Sequence, residues 1–316
     1  MPSSPHSAWR ANVLLILVTA IWGFGFVAQR VGMQHIGAFT YNALRFGIGS
    51  LVLLAFVPLL RRFTPPAGRL KGGALLKAGA AAGSLLFIAA YLQTAGLAYT
   101  GAGKAGFITG FYVVLVPLLG LFWRQRTSPF TWVGGALSLA GLYLLTISES
   151  LQVNPGDLLV LSSAFFWAAH IQAIGYFSRR VEPLSFSIVQ YVAVALFSAI
   201  VAPLFEGNTL PQIAAAAGAV LYGGVMVVGV SFTLQVIAQR EAHPGHAAVI
   251  MVSEAMWGVV AGWLLLGEVL TPRALAGCAL MLVAMLLSQA GSYLPFALPR
   301  RNNPPEALKT DRSTSL

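Results

Sequence analysis

Long apolar runs separated by short polar interruptions follow one another along almost the whole chain. They lie at about 11–31, 38–60, 72–97, 102–122, 131–147, 156–178, 184–204, 212–237, 244–266 and 272–291. Each is close to the ~20 residues a helix needs to cross a ~30 Å hydrocarbon core. A backbone in lipid has to satisfy its own hydrogen bonds, so each run predicts a transmembrane helix. Start signals stand where several runs begin. Thr271-Pro272 and His243-Pro244 put proline where its missing N–H costs nothing, and Asn154-Pro155-Gly156 precedes the sixth run. The run after Arg10 is too long for a secretory signal, lacks a small-x-small cleavage site and is followed by nine others like it. The pattern predicts an all-α membrane protein of ten transmembrane helices.

The two halves of the chain match weakly, at a displacement of 145 residues early and 143 later. Trp22 falls on Trp167, Arg45 on Gln190, Pro129 on Pro272, Gly134 on Gly277, and Ala136-Leu137 on Ala279-Leu280. Each half holds five runs, an odd number, so the second half enters the membrane in the opposite sense. The expected organisation is a short N-terminal tail (1–10), two inverted five-helix repeats (11–147 and 154–291), and a C-terminal tail (295–316). Inverted repeats of this kind are an architecture of secondary transporters.

Composition narrows the class. Of 316 residues, 57% are apolar and 9% charged, which excludes an ordinary soluble enzyme. The net charge of +10 raises the question of nucleic acid, but the basic residues sit singly or in pairs between apolar runs, so no nucleic-acid partner is expected. They report orientation instead. With both termini cytoplasmic, fifteen of the nineteen Lys and Arg face the cytoplasm, Arg30, Lys104 and Arg273 face the other side, and Arg45 lies within the second run. The expected location is therefore the cell (inner) membrane, multi-pass, with both termini inside. The tail from Pro295 reads as a disordered cytoplasmic extension. Cys278 is the one cysteine, inside an apolar run, which excludes an intramolecular disulfide and a Cys-based zinc site.

Ala20-Ile21-Trp22-Gly23 in the first run, Ala43-Leu44-Arg45-Phe46 in the second, and Leu266-Gly267-Glu268 with Thr271-Pro272 and Gly277 in the closing pair resemble the drug/metabolite transporter superfamily, EamA type. Ser253-Glu254 is similar to that family's Ser-x-Glu-Pro stretch, with Ala255 in place of the proline. The resemblance covers nearly the whole chain. It implies ten crossings in two five-helix repeats and transport of a small organic metabolite, export more often than import; its motifs identify the superfamily and not the substrate.

Candidate chemistry is sparse and deep. Glu254 stands about ten residues into the ninth run, roughly 15 Å from Pro244 and near the midplane. An ionisable group there is a functional candidate by default. It either carries a proton as access alternates, is held ionised by a nearby cation, or hydrogen-bonds a neighbouring helix as packing. Arg45 lies about seven residues, ~10 Å, inside the second run. A buried guanidinium needs a partner, and Glu254 is the carboxylate at comparable depth; the alternatives are an anion contact in a central cavity and snorkelling to the headgroups. Trp22 and Trp167 occupy equivalent repeat positions away from the interfacial belts and are expected to approach one central space. Tyr91, Gln93, Tyr112, His170, Gln190, Gln235 and Trp257 complete the candidate substrate-binding set, each with helix packing as its alternative. Pro117 is a candidate kink in the fourth helix. Gly79/Gly83, Gly106/Gly110 and Gly258/Gly262 have the spacing of close helix packing.

Other motifs carry no chemistry. His243 and His246 have no third ligand nearby and Pro244 opens a helix between them, so no metal site is expected. Thr100-Gly-Ala-Gly-Lys104 lacks the first glycine and the hydroxyl of a phosphate loop, so neither ATP nor any other cofactor is expected. A membrane-embedded enzyme would need a triad or metal cluster, and none is visible. The expectation is a non-enzymatic secondary transporter for an amino acid, aromatic metabolite or drug-like solute, working by alternating access, with Glu254 as candidate proton carrier. Its partners are the solute and the bilayer, as a monomer or weak homodimer. The alternative is a channel or receptor-like protein without active transport.

Overall fold

The computed structural model describes residues 5–63, 70–97, 99, 102–146, 155–267 and 269–293; the expected cytoplasmic tail at 295–316 lies outside the described residues. The first half contributes α1 (Pro5–Gly32), α2 (Ala38–Phe63), α3 (Gly73–Gly96), a fourth crossing in two pieces, α4a (Ala102–Thr109) and α4b (Tyr112–Phe122), and α5 (Pro129–Thr146). The second half contributes α6 (Pro155–Phe177), α7 (Pro183–Phe205), α8, α9a (Pro244–Met251) and α9b (Glu254–Leu266), and α10 (Pro272–Tyr293). Within α8, Leu210–Ala215 and Ala217–Tyr222 lead into a π-helical stretch, Gly223–Phe232, and then Thr233–Gln239. Among the described residues no strand forms. Nine stretches there are long and apolar enough to cross a bilayer, and Pro129–Leu145 is a shorter tenth. The ten predicted runs thus correspond one to one with ten helical crossings.

Local chemistry fixes where the helices begin. Proline opens α5, α6, α7, α9a and α10, where its fixed φ suits the first turn. The free N–H groups behind it find side-chain acceptors. Glu182 accepts from Leu184 N at 3.3 Å and Ser185 N at 2.8 Å, and Thr271 Oγ1 accepts from Ala274 N at 3.1 Å. At the far end of α7 from Glu182, Glu206 in the α7–α8 turn accepts from Phe39 N and Thr40 N at 2.7 and 2.8 Å, capping α2 from across the molecule. Gly267, at φ 67°, ends α9b in the left-handed conformation that glycine adopts without strain.

Packing is inverted relative to a soluble protein. Helix contacts are lined by small residues, with Ala82, Ala89, Ala90, Ala164, Ala168, Ala247 and Ala248 fully buried, while Leu51, Phe56, Leu204 and Leu286 point outward. The contacts repeat with the displacement read in the sequence. Gly79 and Gly83 of α3 lie against Val189 and Ala193 of α7, and their equivalents one displacement later lie on α8, where Gly224 meets Ile48 of α2 and Val228 meets Gly49. In the closing pair, a Cβ on Gly141 would stand 2.7 Å from the Gly277 carbonyl oxygen, and one on Gly277 would stand 2.6 Å from that of Gly141. Exchanging the halves turns this contact into that of Gly134 with Ala284, which is also present. The fold is two five-helix repeats related by inversion.

Four features depart from the sequence reading. The fourth crossing breaks at Gly110-Phe111 and not at Pro117, which sits inside a continuous α4b. The ninth breaks at Val252-Ser253 with no proline there, because Ala255 N and Met256 N bond back three residues, to Val252 O and Ser253 O, and tighten the turn. The eighth is widened over ten residues into π-helix, a form that recurs at functional sites. Gly106 meets no close neighbour, so it does not mediate the close packing that its spacing suggested, whereas Gly258 lies where α9b meets α1, its N 2.6 Å from where a Cβ on Gly23 would stand.

Candidate functional site

The two broken crossings meet. Tyr112 is the first residue of α4b and Glu254 the first of α9b, and the Tyr112 hydroxyl donates to Glu254 Oε1 at 3.1 Å. This junction forms part of the wall of an open cavity between the repeats, whose empty space, counting the solvent at its mouth, is about 590 Å³. Trp22, Gly25, Phe26 and Gln29 of α1 line it, spaced i, i+3, i+4 and i+7 along one helix face. Arg45, Gln93, Thr109, Trp167, Ile171, Val227, Phe232 and Gln235 complete the lining.

Phe232, at the end of the π-helical stretch, holds the two tryptophans together. Its ring centre is 5.1 Å from that of Trp22 and 6.1 Å from that of Trp167, with which it is stacked at 9°. The shared space expected for the two tryptophans is present, closed by a residue the sequence did not single out. Among the described residues, both indole N–H groups and Gln235 Oε1 are buried without a hydrogen-bond partner. Gln235 donates to Gln239 Oε1 at 3.0 Å, and Gln93 donates to Thr109 Oγ1 at 3.2 Å.

Arg45 behaves differently from expectation. Its side chain is buried in the protein, so it does not snorkel, and it does not pair with Glu254: among the described residues the one ion pair is Arg61 with Glu182. Arg45 Nε donates to Asn42 Oδ1 at 2.9 Å, one helical turn away on α2, and the guanidinium lies 5.2 and 5.0 Å from the ring centres of Tyr41 and Phe46.

Seven of the eleven residues singled out from sequence therefore converge on one cavity: Trp22, Arg45, Gln93, Tyr112, Trp167, Gln235 and Glu254. The other four lie elsewhere. Tyr91 stacks on Phe39 at 4.1 Å, in an aromatic cluster with Phe87 and Phe205. His170 Nε2 donates to Gln190 Oε1 at 2.9 Å, both residues buried behind the wall. Trp257 packs on Gly23, where any side chain would collide with it. Gln29, Thr109 and Phe232 were missed, although Gln29 lies seven residues from Trp22 and Phe232 three from Gln235 on the same helix face; Thr109 is separated from Tyr112 by the break at Gly110-Phe111.

Toward the end of the bundle that carries the α4–α5 and α8–α9 turns, glutamines fill the space. Gln125 donates to Gln172 Oε1, Gln172 to Val116 O, and Gln239 to Ile171 O. His246, in the same half, uses both ring nitrogens, on Ser288 Oγ and Asn12 Oδ1.

The profile of the EamA-like transporter family matches residues 9–147 and again residues 154–289. The chain belongs to that family. Proteins similar to it along most of its length include an uncharacterized transporter of Archaeoglobus fulgidus, 31% identical over 88% of this chain and 85% of that one. The Escherichia coli inner membrane transporter YedA, itself uncharacterized, is 25% identical over 90% and 92% of the two chains, and the Escherichia coli threonine/homoserine exporter RhtA is 28% identical over 89% and 90%. A solved crystal structure shares the EamA-like fold with a TM-score of 0.76, at 20% identity, over 90% of this chain and 97% of its own. The protein is a multi-pass membrane protein of a transporter family.

Proposed function

We propose that this protein exports a small amphipathic organic solute, of the amino-acid or aromatic-metabolite class, by alternating access around the Trp22–Phe232–Trp167 cavity, with Glu254 exchanging a proton. The observation that carries this reading is the meeting of two discontinuous helices at Tyr112 and Glu254 in the cavity wall. Broken crossings at the interface of inverted repeats are where secondary transporters bind substrate and coupling ions. The threonine/homoserine exporter among its relatives supports both the solute class and the direction.

The lining reaches from the midplane toward one end only. Gln29 and Gln93 are each three residues from a helix end there, while glutamines fill the other end. With both termini cytoplasmic, as the basic residues indicate, that direction is outward. The repeats at 11–147 and 154–291 are then the two bodies that rock against each other, and the segment 295–316 is a cytoplasmic tail.

Proteoliposomes holding the purified protein test the reading, with a panel of labelled amino acids and aromatic metabolites and an imposed pH gradient. At least one solute is expected to accumulate against its gradient when the proton gradient is present. Glu254→Gln, which keeps size and hydrogen bonding, is expected to retain exchange and lose the pH-driven accumulation. Wild-type flux indifferent to the pH gradient would overturn the proton role.

A further inference from the structure

Arg45 is buried, at 6% exposure, in the wall of the cavity, and no carboxylate neutralises it among the described residues. A guanidinium has five N–H donors and does not lose its proton in a protein. Here Nε is used by Asn42, and the two Nη nitrogens have no acceptor among the described residues. The faces of Tyr41 and Phe46 attract a cation but accept no strong hydrogen bond. Burying a charge with its donors unused is costly unless something pairs with it.

Packing does not explain the charge. The equivalent position in the second repeat holds Gln190, a neutral residue of comparable length bonded to His170 behind the cavity wall. The fold accommodates a neutral side chain at the equivalent point of the second repeat, so the repeat itself does not require a cation there. The one carboxylate in the cavity lining, Glu254, is engaged by Tyr112 where α4b and α9b meet.

We infer that Arg45 is the handle for an anionic group on the solute, and that the solute class is an organic carboxylate with an apolar, preferably aromatic, body. Resting on the transporter reading above, this supplies its specificity. The carboxylate receives the two Nη donors in the fork geometry that suits it, and the body lies against the wall of Trp22, Phe232 and Trp167.

Calorimetric titration of the purified full-length protein in lipid nanodiscs tests this with 3-phenylpropionate and its neutral isostere, 3-phenylpropionamide. The acid is expected to bind at least ten-fold more tightly than the amide. Arg45→Gln should bring the acid down to the affinity of the amide and leave the amide unchanged, with Arg45→Lys in between. Equal affinities in the wild type, failure of the acid to bind at millimolar concentration, or an unchanged ratio in Arg45→Gln would each overturn the assignment. If Arg45→Gln does not fold, the wild-type ratio of acid to amide decides alone. Equal affinities with flux intact in proteoliposomes would remove the anion handle and leave transport standing. Preferential, Arg45-dependent binding of the acid without flux of any solute would uphold the handle and remove the transport reading.

Discussion

His243 stands just outside the apolar span, where its Nδ1 accepts the Gly245 N–H at 3.2 Å and caps α9a. Burial, and secondly the positive charge of Arg179, lower its pKa from the ordinary imidazole value. The folded state therefore favours the neutral ring, the form that can accept the capping bond. The stability this contributes is present above about pH 6.5 and is lost as pH falls below it, because the unfolded chain takes up the proton first. Thermal unfolding between pH 7.5 and 5 is expected to show a smaller acid-side loss in His243→Asn, which caps without titrating, than in the wild type. Identical pH dependence in the two proteins would mean that His243 contributes nothing to it. At this scale the candidate residues were legible where the repeat itself pointed at them, as with Trp22 and Trp167. The hydrogen-bond partner of Arg45 was legible in the spacing, since Asn42 stands three residues back on the same helix face, but whether Glu254 also reaches it depends on the placement of α2 relative to α9b, which sequence does not give.

The helices were legible as apolar runs because lipid demands the same length of each, and proline and capping residues marked most of their starts. Their interruptions were not. The break after α9a is made by backbone bonds that shift from four residues to three at Val252 and Ser253, and neither residue type advertises that change. Pro117 carries the ordinary sign of a kink but lies within a helix that continues past it. Close approach of backbones was only partly legible, since glycine spacing does not say which neighbour arrives. Gly141 makes the distinction testable. Gly141→Leu, driven into the Gly277 carbonyl and Met281, is expected to cost about 1–3 kcal/mol of stability, seen as a lowered melting temperature in detergent. Gly106→Ala, whose added carbon meets nothing within 4 Å, is expected to leave the melting temperature unchanged or raise it slightly, since alanine favours the helix more than glycine does. The reverse order would mean that the crossing of α5 and α10 is loose.

Orientation is a property of the whole chain, set by loops on opposite ends of the bundle. Ser128 precedes α5 at one end, and exposed Gly207 lies in the α7–α8 turn at the other. In a Cys278→Ala background, cysteine introduced at Ser128 is expected to resist a membrane-impermeant thiol reagent in intact cells, and cysteine introduced at Gly207 to react. The opposite labelling would invert the proposed sides while leaving the two-repeat fold intact. That fold has a further consequence at the crossing of α5 and α10. Because Gly141 with Gly277 and Gly134 with Ala284 are one contact seen from its two ends, the crossing is self-complementary, like the interface of a twofold dimer. Two separate copies of a single five-helix chain, inserted opposite ways up, would build it without a covalent link. Fusion fixes the two orientations at equal numbers and frees each half to vary alone. Arg45 opposite Gln190, and Glu254 opposite Phe111, show that freedom in use: each is a charged pole that occurs once in the cavity, where an identical pair would have to carry it twice or lack it.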